Sequence, residues 1–474
     1  MHRIIEAIVM RFNRISYPLF LGFLLLVLSL IPCSRSKAEK LTLDKCIELA
    51  DEQNIDIRIA KENVARAAFD IDEASAEGLP KLSADWAITR SDEAVQPNID
   101  GQSMLVNPLY ARAGHFVFGL PLDVFGIIKL GNRLAHLGKV QAQYDYEKAC
   151  NNLIFDVKKG FYDVLRAEEN VRISKESLSD LEAHLADARA NLKAGTIAKF
   201  EVLRAETEAA NSRVACISAE NALRLSCASF NNLLGRDLNA PLDLEPPSET
   251  RYFQIDLKSC IQSATSARPE VRNADTQVEL TDKMITIAKR TGQPRINLLW
   301  KFNRNYDPTF IDSRSASWNA NVSAGVSLLD GGATRSQINQ ARSDAISAKS
   351  GKTAVTLGVG VETHQAYLNI RQAKEAVTSA DKGLALAKES ARLADSRYKN
   401  GLSTQVELLD ARAALTQAES YYATALYDYR VAVAKLEQSV GGPREMAKLL
   451  NSVPSTNDDK VASNTDNQQT STIN

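Results

Sequence analysis

At 474 residues the chain exceeds what one compact core usually holds, so two domains or an internal repeat are expected. Its 57 Lys and Arg almost cancel its 58 Asp and Glu, which argues against a nucleic-acid binder. The five His (His2, His115, His136, His184, His364) are scattered with no pair at metal-ligand spacing, so neither a metal site nor a cofactor is expected.

Residues 1–38 read as an export signal. Arg3, Arg11 and Arg14 precede the apolar run "PLFLGFLLLVLSLIP" from Pro18 to Pro32. Ser36-Lys37-Ala38 sets small residues before a cut that starts the mature chain near Glu39. The run is shorter than the roughly 20 residues of a spanning helix, with an uncleaved anchor as the alternative. Cys33 raises a lipid-attachment reading, which the preceding Pro32 fits badly. No other apolar run approaches spanning length, so the exported chain is either soluble or crosses a membrane as β-structure. The remaining cysteines (Cys46, Cys150, Cys216, Cys227, Cys260) are odd in number. Cys216 and Cys227 sit about 16 Å apart along a predicted helix, too far to bridge. All five are expected to be small buried hydrophobes.

The mature chain is duplicated. "LTLDKCIELADEQN" from Leu41 returns as "IDLKSCIQSATSAR" from Ile255, pairing Cys46 with Cys260, Pro80 with Pro294 and Trp86 with Trp300 at an offset of 214. From Gly119/Gly325 the offset is 206, through Gly195/Gly401 to Gly235/Gly441. The first repeat is 39–235 and the second 255–441, joined by a Pro-rich connector, 236–254, and followed by a polar, largely disordered tail, 442–474. Two copies are too few for a solenoid and suggest pseudo-symmetric halves of a closed object. Each copy begins with an amphipathic helix (about 43–77 and 257–291) ended by Gly78-Leu79-Pro80 or Gly292-Gln293-Pro294.

Two strands follow in each copy, about 81–90 and 115–122, then 295–304 and 317–328. Leu82, Ala84, Trp86 and Ile88 alternate with polar or small residues, as do Phe116, Phe118, Leu120 and Leu122. Ile296, Leu298, Trp300 and Phe302 repeat the pattern, and so do Trp318, Ala320, Val322, Ala324, Val326 and Leu328. A period of two over about ten residues suits a strand of a soluble sandwich and equally a tilted strand crossing an outer membrane. Four strands cannot close a barrel and an open edge cannot sit in lipid, so spanning strands require several chains to pool them. Three chains give twelve.

A very long helix comes next (about 127–194 and 333–400), then a return helix (about 199–234 and 405–440). Val157, Val164, Val171, Leu178, Leu185 and Leu192 repeat every seven residues, beside Gly160, Ala167, Ser174, Leu181 and Ala188. The second copy has Ala366, Ala373, Ala380, Ala387 and Ala394, continued in the return helix by Leu408, Leu415, Tyr422 and Tyr429 with Ala411, Ala418, Ala425 and Ala432. Such a period implies left-handed supercoiling, and small residues let axes approach closely. At about 1.5 Å per residue the rod reaches roughly 100 Å. A coiled-coil spacer fits this alone; strands leading directly into both rods favour a barrel extended by helices.

This order of parts resembles the TolC-like outer-membrane efflux protein family over about 41–442. The resemblance rests on "LTLDKCIELADEQN", "GLPKLSADW", "VSLLDGG" from Val326 to Gly332, and the two Gly-centred turns "LKAGTIAKFEVLRAE" and "YKNGLSTQVELLDAR". It implies a fold that is mainly α with β: a homotrimer with a twelve-stranded β-barrel in outer-membrane lipid, continued by an α-helical barrel of long antiparallel coiled-coil helices through the periplasm of a Gram-negative-type bacterium. It implies a passive exit duct of a tripartite efflux or type I secretion system, served by an inner-membrane transporter through a periplasmic adaptor (a membrane fusion protein). Family adaptor-docking positions fall on Ala194, Gly195 and Thr196 and on Asn400, Gly401 and Leu402. Glu407 and Asp410 match an acidic aperture pair, six carboxylates in a trimer; Glu201 and Tyr398 match a pair that ties the hairpins together. Ser403 stands where many members have a basic residue completing that lock. No phosphate loop, nucleophile elbow or metal cluster is present in the sequence, so no catalysis is expected. A soluble periplasmic coiled-coil scaffold or adaptor is the alternative function.

Overall fold

The computed structural model describes residues 40–99, 101–247, 255–307, 309 and 314–452. The export segment, Cys33, the end of the connector and the tail beyond Ser452 lie outside the described residues.

Each repeat opens with two helices where the sequence suggests one. Helices α1 (Leu43–Gln53) and α2 (Ile55–Ala76) meet at Asn54, whose backbone is extended (φ −65°, ψ 131°). Its side chain caps α2, accepting from the Asp56 and Ile57 N–H groups at 2.9 and 3.3 Å, and donates to the Leu233 carbonyl at 3.1 Å. In the second copy α5 (Leu257–Ala267) and α6 (Pro269–Thr291) meet at Arg268, also extended. There the break follows from Pro269, which disfavours a helical conformation in the residue before it.

The strands are β1 (Lys81–Arg90), β4 (Tyr110–Leu122), β5 (Arg295–Asn305) and β6 (Ala316–Gly325), with a small β2–β3 ribbon (Asn98–Ile99, Gln102–Ser103) between the first two. They form one antiparallel sheet in the order β1-β4-β5-β6, so the β4–β5 pairing joins the two copies. β4 starts at Tyr110, ahead of the expected 115, because it pairs with the whole of β1, from Lys81 opposite Gly119 to Arg90 opposite Tyr110. β6 ends at Gly325, short of the expected 328; Leu328 and Leu329 lie beyond the ladder and are each 93% exposed.

The rods are α3 (Ile127–Lys193) and α7 (Ala333–Lys399), of 67 residues each, and the return helices are α4 (Lys199–Leu233) and α8 (Gln405–Ser439), of 35 each. α3 packs against α4 and α8, and α8 against α7, so the lower wall runs α4–α3–α8–α7. Nearer the sheet it runs α2–α3–α6–α7. The core of the first copy gathers Val157, Phe161 and Val164 of the heptad rod with Cys46, Phe230 and Leu234. Its counterpart holds Cys260, Ala366, Leu436 and Val440. Cys46 and Cys260, equivalent by the repeat, are both fully buried; Cys216 is buried too, while Cys150 and Cys227 are only half-buried. Where the sequence suggests the start of a polar tail, Pro443–Ser452 forms helix α9, because Met446 inserts into the second core.

Candidate functional site: the hairpin tips and the apolar sheet

Both hairpins turn on glycine. Gly195 and Gly401 have φ of 75° and 69°, a left-handed conformation that L side chains rarely adopt. The Thr196 N–H reaches back to the Asn191 carbonyl at 3.0 Å and the Leu402 N–H to the Arg397 carbonyl at 2.8 Å, which satisfies carbonyls left open at each helix end. Ala194, Gly195, Thr196, Asn400, Gly401 and Leu402 are all exposed, at the end of the rods farthest from the sheet.

The next helices start differently. α4 has no side-chain cap at Ala198, whereas Thr404 caps α8 by accepting from the Glu407 N–H at 3.3 Å. Glu407 therefore lies in the first turn of α8, where the helix dipole favours a carboxylate. Asp410 is one turn further on and exposed. Arg397, from the end of α7, comes within 4.0 Å of the Glu407 carboxylate and donates to the Leu402 carbonyl at 3.3 Å. The acidic pair thus has a nearby cation that the motif alone does not reveal.

Behind the tips the four long helices meet at a buried junction. Gln405, the first residue of α8 and 6% exposed, donates from Nε2 to the Glu201 carbonyl of α4 at 3.2 Å. The same Nε2 lies 3.1 Å from Nε2 of His184 on α3, a residue only 5% exposed. The His184 ring packs edge-on against Tyr398 of α7, with centroids 5.7 Å apart. Glu201 and Tyr398 thus belong to one junction, but His184 and Gln405 bridge it. Glu201 Oε2, Gln405 Oε1 and Ser403 Oγ are buried without hydrogen-bond partners. Burial first and Arg412 second push the imidazole of His184 below its ordinary pKa, against the pull of Asp187 and Asp395. Burial, then Glu201 and Asp187, raise the Tyr398 phenol. In the sequence His184 is one of five scattered His and Gln405 carries no motif. The available signal was a polar residue on an apolar face, because His184 sits three residues after Leu181 and four before Ala188.

At the other end the register places the alternating residues on one face. Leu82 lies opposite Phe118, Phe118 opposite Trp300, and Trp300 opposite Ala320. Leu82, Trp86, Ile88, Trp318 and Val322 are largely exposed on this face. The opposite face is polar: His115 and Asn303 are hydrogen-bonded at 2.9 Å, with Lys301 and Asn319 in line. An exposed apolar sheet face of this extent does not stay in water. Among the described residues no helix is long and apolar enough to cross a membrane.

The Outer membrane efflux protein family matches residues 46–236 and 260–442, the two repeats. The chain belongs to this family. It is 22% identical to nodulation protein T of Rhizobium leguminosarum bv. trifolii over 404 residues, covering 84% of this chain and 85% of the relative. Outer membrane protein TolC of Vibrio cholerae is 23% identical over 308 residues, 64% of this chain and 70% of the relative. The CmeC outer membrane channel of Campylobacter jejuni shares the fold, with a TM-score of 0.73 and 17% identity over 84% of this chain and 85% of that one. This efflux protein resides in the outer membrane and extends into the periplasm, and its fold is that of channels.

Proposed function

We propose that three copies of this efflux protein close into one passive duct, with a twelve-stranded barrel in the membrane and a helical tunnel below it. The observation that carries this reading is a pair of matching open edges. The sheet ends in the unpaired edges of β1 and β6, which lipid does not tolerate. The lower wall ends in α4 and α7, and both carry exposed apolar stripes. Leu203, Val214 and Leu225 recur every eleven residues on α4, and Leu368, Leu386 and Leu393 are exposed on the part of α7 that lies in the lower wall. Eleven residues make about three turns and eighteen make about five, so each set lies on one side of its helix. α7 of one copy against α4 of the next gives a head-to-tail interface that closes as a ring. Family resemblance supports three as the number of copies.

In that assembly six tips face the periplasm. They present Ala194, Gly195, Thr196, Asn400, Gly401 and Leu402 to a periplasmic adaptor that couples the duct to an inner-membrane transporter. Glu407 and Asp410 ring the mouth and favour cations. The test is detergent extraction and chemical cross-linking in native membranes. Recovery only with detergent and a cross-linking ladder that stops at three chains support the reading; recovery in the soluble periplasm sinks it.

A further inference from the structure

We propose that His184 makes the four-helix junction a pH-sensitive clasp, which holds the hairpin tips together while the imidazole is neutral and lets them part once it is protonated. The proposal rests on the duct reading above and adds a mode of control to it. In the observed geometry Gln405 Nε2 donates both to His184 and to the Glu201 carbonyl, so His184 Nε2 must be an acceptor and the ring neutral. Protonation makes both ring nitrogens donors. The contact then survives only if the amide turns to offer Oε1, the atom now buried without a partner. Turning it withdraws Nε2 from Glu201 and cuts the hydrogen bond that links α8 to α4.

The charges facing the ring come from three of the four helices. Asp187 on α3 and Asp395 on α7 attract an imidazolium, Arg412 on α8 repels it, and Tyr398 on α7, itself facing Glu201, is uncharged. Asp395 is already engaged by Lys399 at 2.6 Å and by Arg412 at 3.3 Å, which weakens its pull. Ser403 is itself uncharged, and its hydroxyl oxygen is buried without a hydrogen-bond partner. Burial and Arg412 therefore oppose protonation in the clasped state, and that opposition disappears once the parted tips expose the ring to water. Protons consequently favour the parted state. The clasp is at full strength above the ordinary imidazole value of about 6.5 and weakens as pH falls below it, by at most about tenfold per pH unit per clasp.

Planar-bilayer recordings of the purified full-length protein between pH 7.5 and 5.5 test this. Wild type is expected to open severalfold more often as pH falls. His184→Gln, which keeps a polar group beside Gln405, is expected to lose that dependence. Gln405→Glu, which gives an imidazolium a carboxylate partner, is expected to move the opening to lower pH. Wild-type and His184→Gln channels with the same pH profile would overturn the clasp while leaving the duct intact. No conductance from any of the three at any pH would overturn the duct reading, and the clasp with it.

Discussion

Glu407 shows how a single position combines legible and illegible influences. Its place three residues after Thr404 and three before Asp410 is written in the sequence. Its neighbour Arg397 is not, because that side chain arrives from the preceding helix around the Gly401 turn. All three side chains are exposed, so the pairing is weak and screened by salt. Glu407→Gln combined with Asp410→Asn is expected to lower the cation preference of the channel in bilayer recordings, and Arg397→Ala to raise it; unchanged reversal potentials would remove these residues from the mouth. Gly160 is a second such position. It appears in the sequence as a small seam residue, but the structure gives the reason: a Cβ there would come within 2.8 Å of Phe230 Cδ2. Phe230 is buried at the centre of the first core, so it has little room to yield. Gly160→Val is expected to cost about 2 kcal/mol, seen as a lower thermal unfolding midpoint.

Among the elements, positions and lengths were the most legible part of the fold. The rods and return helices start and stop within a residue of their expected bounds, because glycine turns and heptads mark both ends. The break at Asn54 is masked by amphipathic spacing that continues across it, whereas Pro269 marks the one at Arg268. Asn54 caps one helix while its amide holds the end of another, a tertiary role. Asn54→Ala is expected to destabilise the fold by about 1–2 kcal/mol, measured by thermal unfolding in detergent. At the second break Arg268 is bound by Glu270 at 2.8 Å and by Glu362 at 2.5 Å, and Lys435 also reaches Glu362 at 3.0 Å. Burial works to raise both carboxyl pKa values, but hydrogen bonds and charge from Arg268, joined at Glu362 by Lys435, hold them below the ordinary range. Depressed carboxyl values mean stability that is complete above the ordinary glutamate value of about 4.3 and is lost as pH falls below it. Melting curves from pH 7 to 3.5 should show wild type losing more stability at the acid end than Arg268→Met, which keeps only the Lys435–Glu362 contact.

For the molecule as a whole, a single chain is unfinished at both ends of its wall. Joining α7 of one copy to α4 of the next would bury the exposed stripes, and joining β6 to β1 would remove the sheet edges. Val214→Asp on α4 or Leu386→Asp on α7 would place a charge at that seam and is expected to release monomers on mild heating in detergent, where wild type is expected to stay trimeric. Equal resistance to dissociation would place the interface elsewhere. The Ala residues of α7 and α8 stand where the two helices pack side by side. Ala373, Ala380, Ala387, Ala418, Ala425 and Ala432 also line an open groove of about 1140 Å³ along that pair within one chain.

By itself the sequence determined the duplication, the strand faces, the rod lengths and the two glycine turns. Each of these is a local or periodic property, carried by side-chain alternation or by φ at one residue. Only the tertiary structure decided that β4 of one copy pairs with β5 of the other, that Met446 turns the tail's start into a helix, and that His184, Glu201, Tyr398 and Gln405 converge on one buried junction. Those residues lie up to 221 positions apart, and four separate helices bring them together. No spacing rule encodes such a meeting, because it depends on how the rods pack and not on any period along the chain.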